Sequence, residues 1–134
     1  MDKDTLQGAL PEYFAPWVQE LGLRVEHFDA GSVTLRLPHD AKLARAGNML
    51  CGQAMMAAAD TAMVLALINQ FGSFKPCTTV QMNTSFLKPL SAQDALVQAR
   101  IVRAGKSLAF GEIDIRGAED GKSACRATTT YALL

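Results

Sequence analysis

Residues 52–68, GQAMMAAADTAMVLALI, contain a single charge, Asp60, near the middle of the most apolar run in the chain. Ala and Met dominate this run, and branched residues are few before Val64, so its helix propensity is high. The pattern predicts a helix that starts near Cys51 or Gly52 and reaches about Asn69, with Gly72 close behind as a stop. Apolar residues fall on nearly all sides, which marks a helix enclosed by other elements rather than laid on a surface. An ionised carboxylate inside such a helix is costly unless it is solvated or paired. No Lys or Arg lies anywhere between Gly52 and Ile68, and the helical pattern continues on both sides of Asp60, which argues against a cap. Asp60 is therefore either a local structural hydrogen-bonding group or a carboxylate that faces a cleft and works there.

The flanking sequence supplies a sheet for that helix. Leu23–Asp29 and Ser32–Leu37 alternate and are joined at Ala30-Gly31, the pattern of a hairpin. Before them, Pro11–Leu21 reads as a short first helix ended by Gly22. Pro38–Gly47 is a polar connection with room for one helical turn. After Pro76 the period turns to strands over 78–87, 96–104, 107–116 and 123–133, expected as a four-strand meander. The fold class is α+β, with an antiparallel sheet against one central helix. Short strands around an enclosed helix leave an open sheet edge that a second copy could cover.

The 134 residues are enough for one domain, residues 1–134. Thirteen basic residues balance thirteen acidic ones, so bulk charge draws the protein neither to nucleic acid nor to an anionic membrane. Any anionic ligand needs a local cluster of cations. The apolar run is expected to be too short to span a bilayer, and it carries Asp60. Cys51, Cys77 and Cys125 are an odd number without metal-ligand spacing, which predicts a reducing, cytoplasmic setting and no metal or cofactor. His27 and His39 are the only histidines, both lie outside the helix, and no nucleophile elbow is present.

The start of the helix adds a second chemical element. Gly52 has no side chain where free backbone N–H groups point outward, so a carbonyl or anion can approach and be polarised. Gly52 and Asp60 are separated by about 12 Å along one helix. One small reacting group cannot touch both unless a partner subunit contributes one of them.

The order Cys51-Gly52-Gln53, Asp60-Thr61-Ala62, Thr79-Val80-Gln81-Met82-Asn83 and Phe86-Leu87-Lys88-Pro89 resembles the hotdog-fold acyl-CoA thioesterases, in particular the phenylacetyl-CoA thioesterase-like group. The Gly105-Lys106 turn before Ser107-Leu108-Ala109 and the closing Ala127–Tyr131 strand extend the likeness. The resemblance implies a hotdog fold, with an antiparallel sheet wrapped around the long helix. It implies acyl-CoA hydrolysis at a dimer interface, in a dimer or a dimer of dimers. Asp60 matches the catalytic carboxylate, Gly52 the glycine whose N–H polarises the thioester carbonyl, and Thr79 a Ser/Thr position that assists the carboxylate or its water. Asp60 would act as general base or attack directly to form an anhydride.

The chain departs from the family pattern at Cys51, where His is usual, at Gln53, where a second Gly is usual, and at Arg45, where a polar amide is common. Gln53 and Asn48 join the candidate catalytic set, Asn48 as the amide nearest the missing one. Lys106 is the leading candidate for the nucleotide phosphates of CoA, followed by Lys88, Arg103, Arg126 and Lys122. Met55, Met56, Met63 and Phe71 are candidates for the acyl pocket or for the core. Two alternatives stand beside hydrolysis: an acyl-CoA-binding protein without turnover, favoured by Cys51, Gln53 and Arg45, and a hydratase or dehydratase, disfavoured by the lack of His in the helix.

Overall fold

The computed structural model describes residues 1–134. Its centre is α3, Gly52–Phe71, with Gly72 beyond it in the left-handed conformation at φ 80°. That backbone geometry costs glycine little, and it lets the Gly72 N–H close the last turn on the Ile68 carbonyl at 2.8 Å. At 20 residues, α3 is about 30 Å long, enough to cross a bilayer. Its length is therefore not what keeps it out of a membrane. Ala58, Ala59, Ala62, Met63, Leu65 and Ala66 are fully buried within the fold.

A six-stranded antiparallel sheet wraps α3 in the order β1-β2-β6-β7-β8-β5. The strands are β1 Arg24–Asp29, β2 Ser32–Leu37, β5 Cys77–Phe86, β6 Ala95–Ala104, β7 Leu108–Gly117 and β8 Ser123–Leu133. A separate short pair, β3 Ala44–Arg45 and β4 Met49–Leu50, leads into α3 after a single 3-10 turn at Ala41–Leu43. Alternation decides which face each strand buries. Val33, Leu35 and Leu37 of β2, Val97 and Ala99 of β6, and Ile113 and Ile115 of β7 all pack inward around α3. Each large aliphatic side chain removed from water in this way stabilises the fold by roughly 1.5–3 kcal/mol.

Two expectations are corrected. The strands after Pro76 are not one meander: only β6, β7 and β8 follow each other in space, while β5 joins the far side of β8 and forms a sheet edge. The first helix is also misplaced. The structure has α1 at Lys3–Tyr13 and a separate short helix, α2, at Pro16–Gln19. Asp2 caps α1 by accepting from the Thr5 N–H at 2.8 Å, and Leu6, Ala9 and Leu10 form its buried face. Pro11 lies inside the last turn of α1 rather than at a helix start. Pro16 then holds Ala15 extended, at ψ 149°, and breaks the chain into two helices.

Candidate active site

Asp60 lies half-buried in the third turn of α3 and faces β5 and β8. Thr79 Oγ1 donates to Asp60 Oδ1 at 2.8 Å. The Tyr131 hydroxyl, from the last strand, donates to the same oxygen, and it also lies 3.2 Å from the Asp60 backbone carbonyl. No ion pair reaches Asp60. Hydroxyls rather than cations therefore hold the carboxylate, and no group of the chain donates to Oδ2.

Strand register explains the convergence. Thr79 and Tyr131 are directly opposite each other across β5 and β8, and Tyr131 is opposite Ala109 on β7. The β5–β8 register slips by one residue between Thr79 and Gln81, so that Thr79 pairs with Tyr131 while Gln81 pairs with Thr130. Without this bulge, Val80 would stand opposite Tyr131 and Thr79 would face away from the helix. Val80 is instead the extra residue and is 59% exposed. The bulge aims a hydroxyl at the carboxylate.

Burial in this pocket pushes the Tyr131 phenol well above the ordinary tyrosine range, and its hydrogen bond to Asp60 adds to the shift. Tyr131 is 2% exposed, and its hydroxyl is the donor to Asp60. The Cys77 thiol is raised first by burial and then by the Asp60 charge. Burial likewise pushes Cys125 up to about 11, with Asp114 adding to it. All three cysteines are free.

Gly52 is the first residue of α3, after Cys51, whose backbone is extended (φ −71°, ψ 149°) and whose side chain makes no capping bond. The first-turn amides are thus left to an outside acceptor. A methyl group at Gly52 would stand 3.3 Å from the Phe86 ring, so the glycine keeps this approach open. Gly52, Met55, Phe86 and Lys88 line a cleft of about 400 Å³ with Arg45 and Leu50. Asp60 does not line it. A larger concavity, about 650 Å³, lies on the opposite, outer face of the sheet among paired charges that include Arg100, Glu112, Asp114 and Arg126. Neither Gly52 nor Asp60 reaches that concavity, so size alone does not locate the chemistry.

The other candidate residues fall in several places. Gln53 is exposed on the first turn of α3, beside Gly52. Asn48 sits in the exposed β3–β4 turn at φ 58°, a left-handed conformation that asparagine tolerates, and it meets neither Gly52 nor Asp60. Lys88 and Lys122 lie at the end of the sheet near Gly52. Lys88 is 3.4 Å from Asp120, and the Lys122 N–H bonds the same side chain. Lys106 occupies the β6–β7 turn at the opposite end, the end of Thr79 and Tyr131, with Arg103 nearby on β6. Arg126 lies on the outer face, 3.5 Å from Asp114. The five cations do not form one cluster within a single chain. Met55 and Met63 are core residues, Met56 is exposed, and Phe71 carries Lys75 over its ring at 4.6 Å.

Tyr131 is the site residue that sequence reasoning missed. It appears there only within the Ala127–Tyr131 strand, where an aromatic residue at an inward position reads as core.

Residues 47–124, more than half of the chain, match the Thioesterase superfamily. The chain belongs to this superfamily of hotdog-fold hydrolytic enzymes. Among its sequence relatives is Ta0293 of Thermoplasma acidophilum, a protein provisionally named an esterase, at 27% identity over 72% of this chain and 73% of the relative. PA1618 of Pseudomonas aeruginosa, named in the same way, is 28% identical over 85% of this chain and 79% of its own. The crystal structure of a mutant of thioesterase PA1618 superposes with a TM-score of 0.87 at 24% identity, over 100% of this chain and 94% of that one. Thioesterase HI1161 of Haemophilus influenzae superposes at 0.88 with 21% identity, over 100% and 91%. At these identities the superpositions speak for the fold.

Proposed function

We propose that the protein hydrolyses acyl-CoA thioesters to the free acid and CoA, with Asp60 as general base and the Gly52 N–H as the group that polarises the carbonyl. The observation that carries this reading is the Asp60 carboxylate, set in an otherwise apolar helix, held by two hydroxyls on one oxygen and open on the other. Asp60 takes a proton from water, and the hydroxide adds to the thioester carbon. The resulting oxyanion rests on the positive end of α3. The C–S bond then breaks, and the CoA thiolate leaves and is protonated. The reaction consumes one water and needs no cofactor.

Gly52 and Asp60 lie on one unbroken helix, about 12 Å apart along its axis, so the site requires two chains. The free edge of β5 offers the way to bring them together. Val80 and Phe86 of this strand and Leu87 just after it are 59%, 50% and 56% exposed. Two β5 strands paired antiparallel near Met82 would place Phe86 of one chain beside Thr79 of the other. Gly52 and Lys88 would then meet the partner's Asp60 end, where Lys106 also lies. The pair of lysines, one from each chain, would receive the CoA phosphates, and Arg126 on the outer face would take no part. The free thiols fit a cytoplasmic setting.

The test is thiol release from short, medium, long and aromatic acyl-CoAs, with Asp60→Asn beside the native protein. General base catalysis contributes about 10²–10⁴-fold, so Asp60→Asn should lose at least about 100-fold in kcat while its circular dichroism is unchanged. A native protein that binds acyl-CoA but releases no thiol would be a binding protein instead, and equal activity in Asp60→Asn would remove the carboxylate from the mechanism.

A further inference from the structure

The two oxygens of Asp60 are not equivalent. Oδ1 accepts from Thr79 and from Tyr131, whereas no group of the chain donates to Oδ2. The two donors come from facing positions on neighbouring strands, one of them placed there by the bulge at Val80. Tyr131 is fully enclosed, and its hydroxyl also lies against the backbone carbonyl of Asp60 itself, so it constrains the side chain relative to its own main chain. A phenol buried only to fill the core does not need a hydroxyl at this position. Burying one is costly unless it is bonded, and here its bond goes to the one charged atom group in the middle of α3.

From this geometry we infer that Tyr131 is a positioning residue of the thioesterase site, which together with Thr79 engages Asp60 Oδ1 and leaves Oδ2 as the oxygen that meets water. The inference rests on the proposed hydrolysis and adds to it which oxygen reacts and what fixes its direction. Tyr131 touches neither water nor thioester. It acts by restricting the carboxylate to one orientation through a charge-assisted hydrogen bond. Thr79 donates to the same oxygen from the facing strand.

The experiment measures kcat and KM for thiol release by the wild type, Tyr131→Phe and Thr79→Val, with thermal melting of each. Removing a hydrogen bond to a charged group costs about 1.5–3 kcal/mol, so kcat in Tyr131→Phe should fall by roughly 10–100-fold. KM should stay within about 2-fold, because the phenol makes no contact with substrate. In Thr79→Val kcat should fall as well, again with little change in KM. A second form of the protein removes any dependence on the deleted hydroxyl's packing. Tyr13 and Tyr131 are the only tyrosines, so 3-fluorotyrosine incorporated in a Tyr13→Phe background replaces Tyr131 alone. Fluorination keeps the hydroxyl in place, so kcat and KM should stay close to those of the Tyr13→Phe parent, unlike those of Tyr131→Phe. Unchanged kcat in Tyr131→Phe, with an active wild type, would overturn the positioning role and leave the proposed hydrolysis standing. A wild type that releases no thiol would overturn the hydrolysis and the positioning role together.

Discussion

Tyr131 and Asp60 are 71 positions apart in the chain, yet the phenol of one donates to the carboxylate of the other. The contact joins the last strand of the sheet to the central helix. It also places the Asp60 side chain on the side of α3 that faces β5 and β8, and that is the side with a free sheet edge. The carboxylate is thus directed toward the β5 edge, one of the two edges of the sheet.

The backbone donor at Gly52 is testable by a substitution that removes an N–H without disturbing a helix. Proline at the first helical position is well tolerated, and it requires an extended residue before it. Cys51 already has that conformation, at ψ 149°. Gly52→Pro should therefore melt within a few degrees of the wild type but lose about 10²–10³-fold in kcat, the usual cost of one oxyanion donor. Gly52→Ala is the control. It keeps the N–H, and its methyl needs only a small shift of the half-exposed Phe86 ring 3.3 Å away. If Gly52→Pro turns over as fast as Gly52→Ala, the amide has no part in catalysis.

Asp60 and the limits of α3 were legible in the sequence because both rest on local patterns: a lone charge in an apolar helical run, and a glycine at each end. The six strands of the main sheet were legible within a residue or two for the same reason, whereas the short pair β3 and β4 was not read as strand. The position of β5 was not, because alternation along a strand identifies its faces and leaves its neighbours open. The bulge at Val80 was hidden as well. Thr78, Thr79, Val80 and Gln81 alternate weakly, and only pairing with Tyr131 and Thr130 shows which residue is extra. Thr79 entered through the family resemblance, and Tyr131 only as the end of the closing Ala127–Tyr131 strand. The first helix was misplaced because it was read as one element from Pro11 to Leu21, whereas Asp2 supplies the cap and Pro16 begins a separate helix.

Met63 lies one turn beyond Asp60 on α3, and its thioether occupies the space above Gly111 of β7. A methyl at Gly111 would stand 2.3 Å from Met63 Sδ and 3.2 Å from the Arg100 carbonyl oxygen. Met63 is fully buried, so it has little room to retreat. Gly111→Ala should destabilise by about 1–3 kcal/mol through overpacking. Met63→Ala opens a cavity, and adding Gly111→Ala refills part of it. Urea denaturation of both single variants and the double variant should give a favourable coupling of about 1 kcal/mol or more. Additive losses would show that the two residues do not compete for the same space.

Arg36 on β2 joins Glu26 on β1 and Asp94 before β6, at 3.0 Å to each. The Asp94 carboxyl is held below its ordinary range first by the His39 N–H and then by Arg36, and Arg36 lowers Glu26 as well. A carboxyl whose folded value is lowered contributes stability above its unfolded value and loses that contribution as pH falls through the folded value. Asp94→Asn should therefore be less stable than the wild type at pH 7, and the gap should narrow below about pH 4. Urea midpoints at pH 7, 5 and 3 measure this. A gap that widens in acid would give the opposite sign and rule out this linkage. Both carboxyls are partly exposed, so the effect should shrink in high salt.

Subunit complementation distinguishes a site shared between chains from one built within a chain. Asp60→Asn keeps the helix start and lacks the carboxylate, while Gly52→Pro keeps the carboxylate and lacks the amide. Each variant alone should be nearly inactive whichever way the site is built. If each site draws Gly52 from one chain and Asp60 from its partner, a mixed dimer carries one site with both groups and one with neither. Random pairing of equal amounts makes half the dimers mixed, and half of their sites intact, so about a quarter of wild-type activity should return. The two proteins are unfolded together, refolded and assayed for thiol release against the same mixture combined without unfolding. A site contained in one chain cannot be restored in this way, because no single chain then holds both groups. Recovery that is absent, with mixed dimers shown by differently tagged chains, would place Gly52 and Asp60 in separate roles and end the shared-site mechanism.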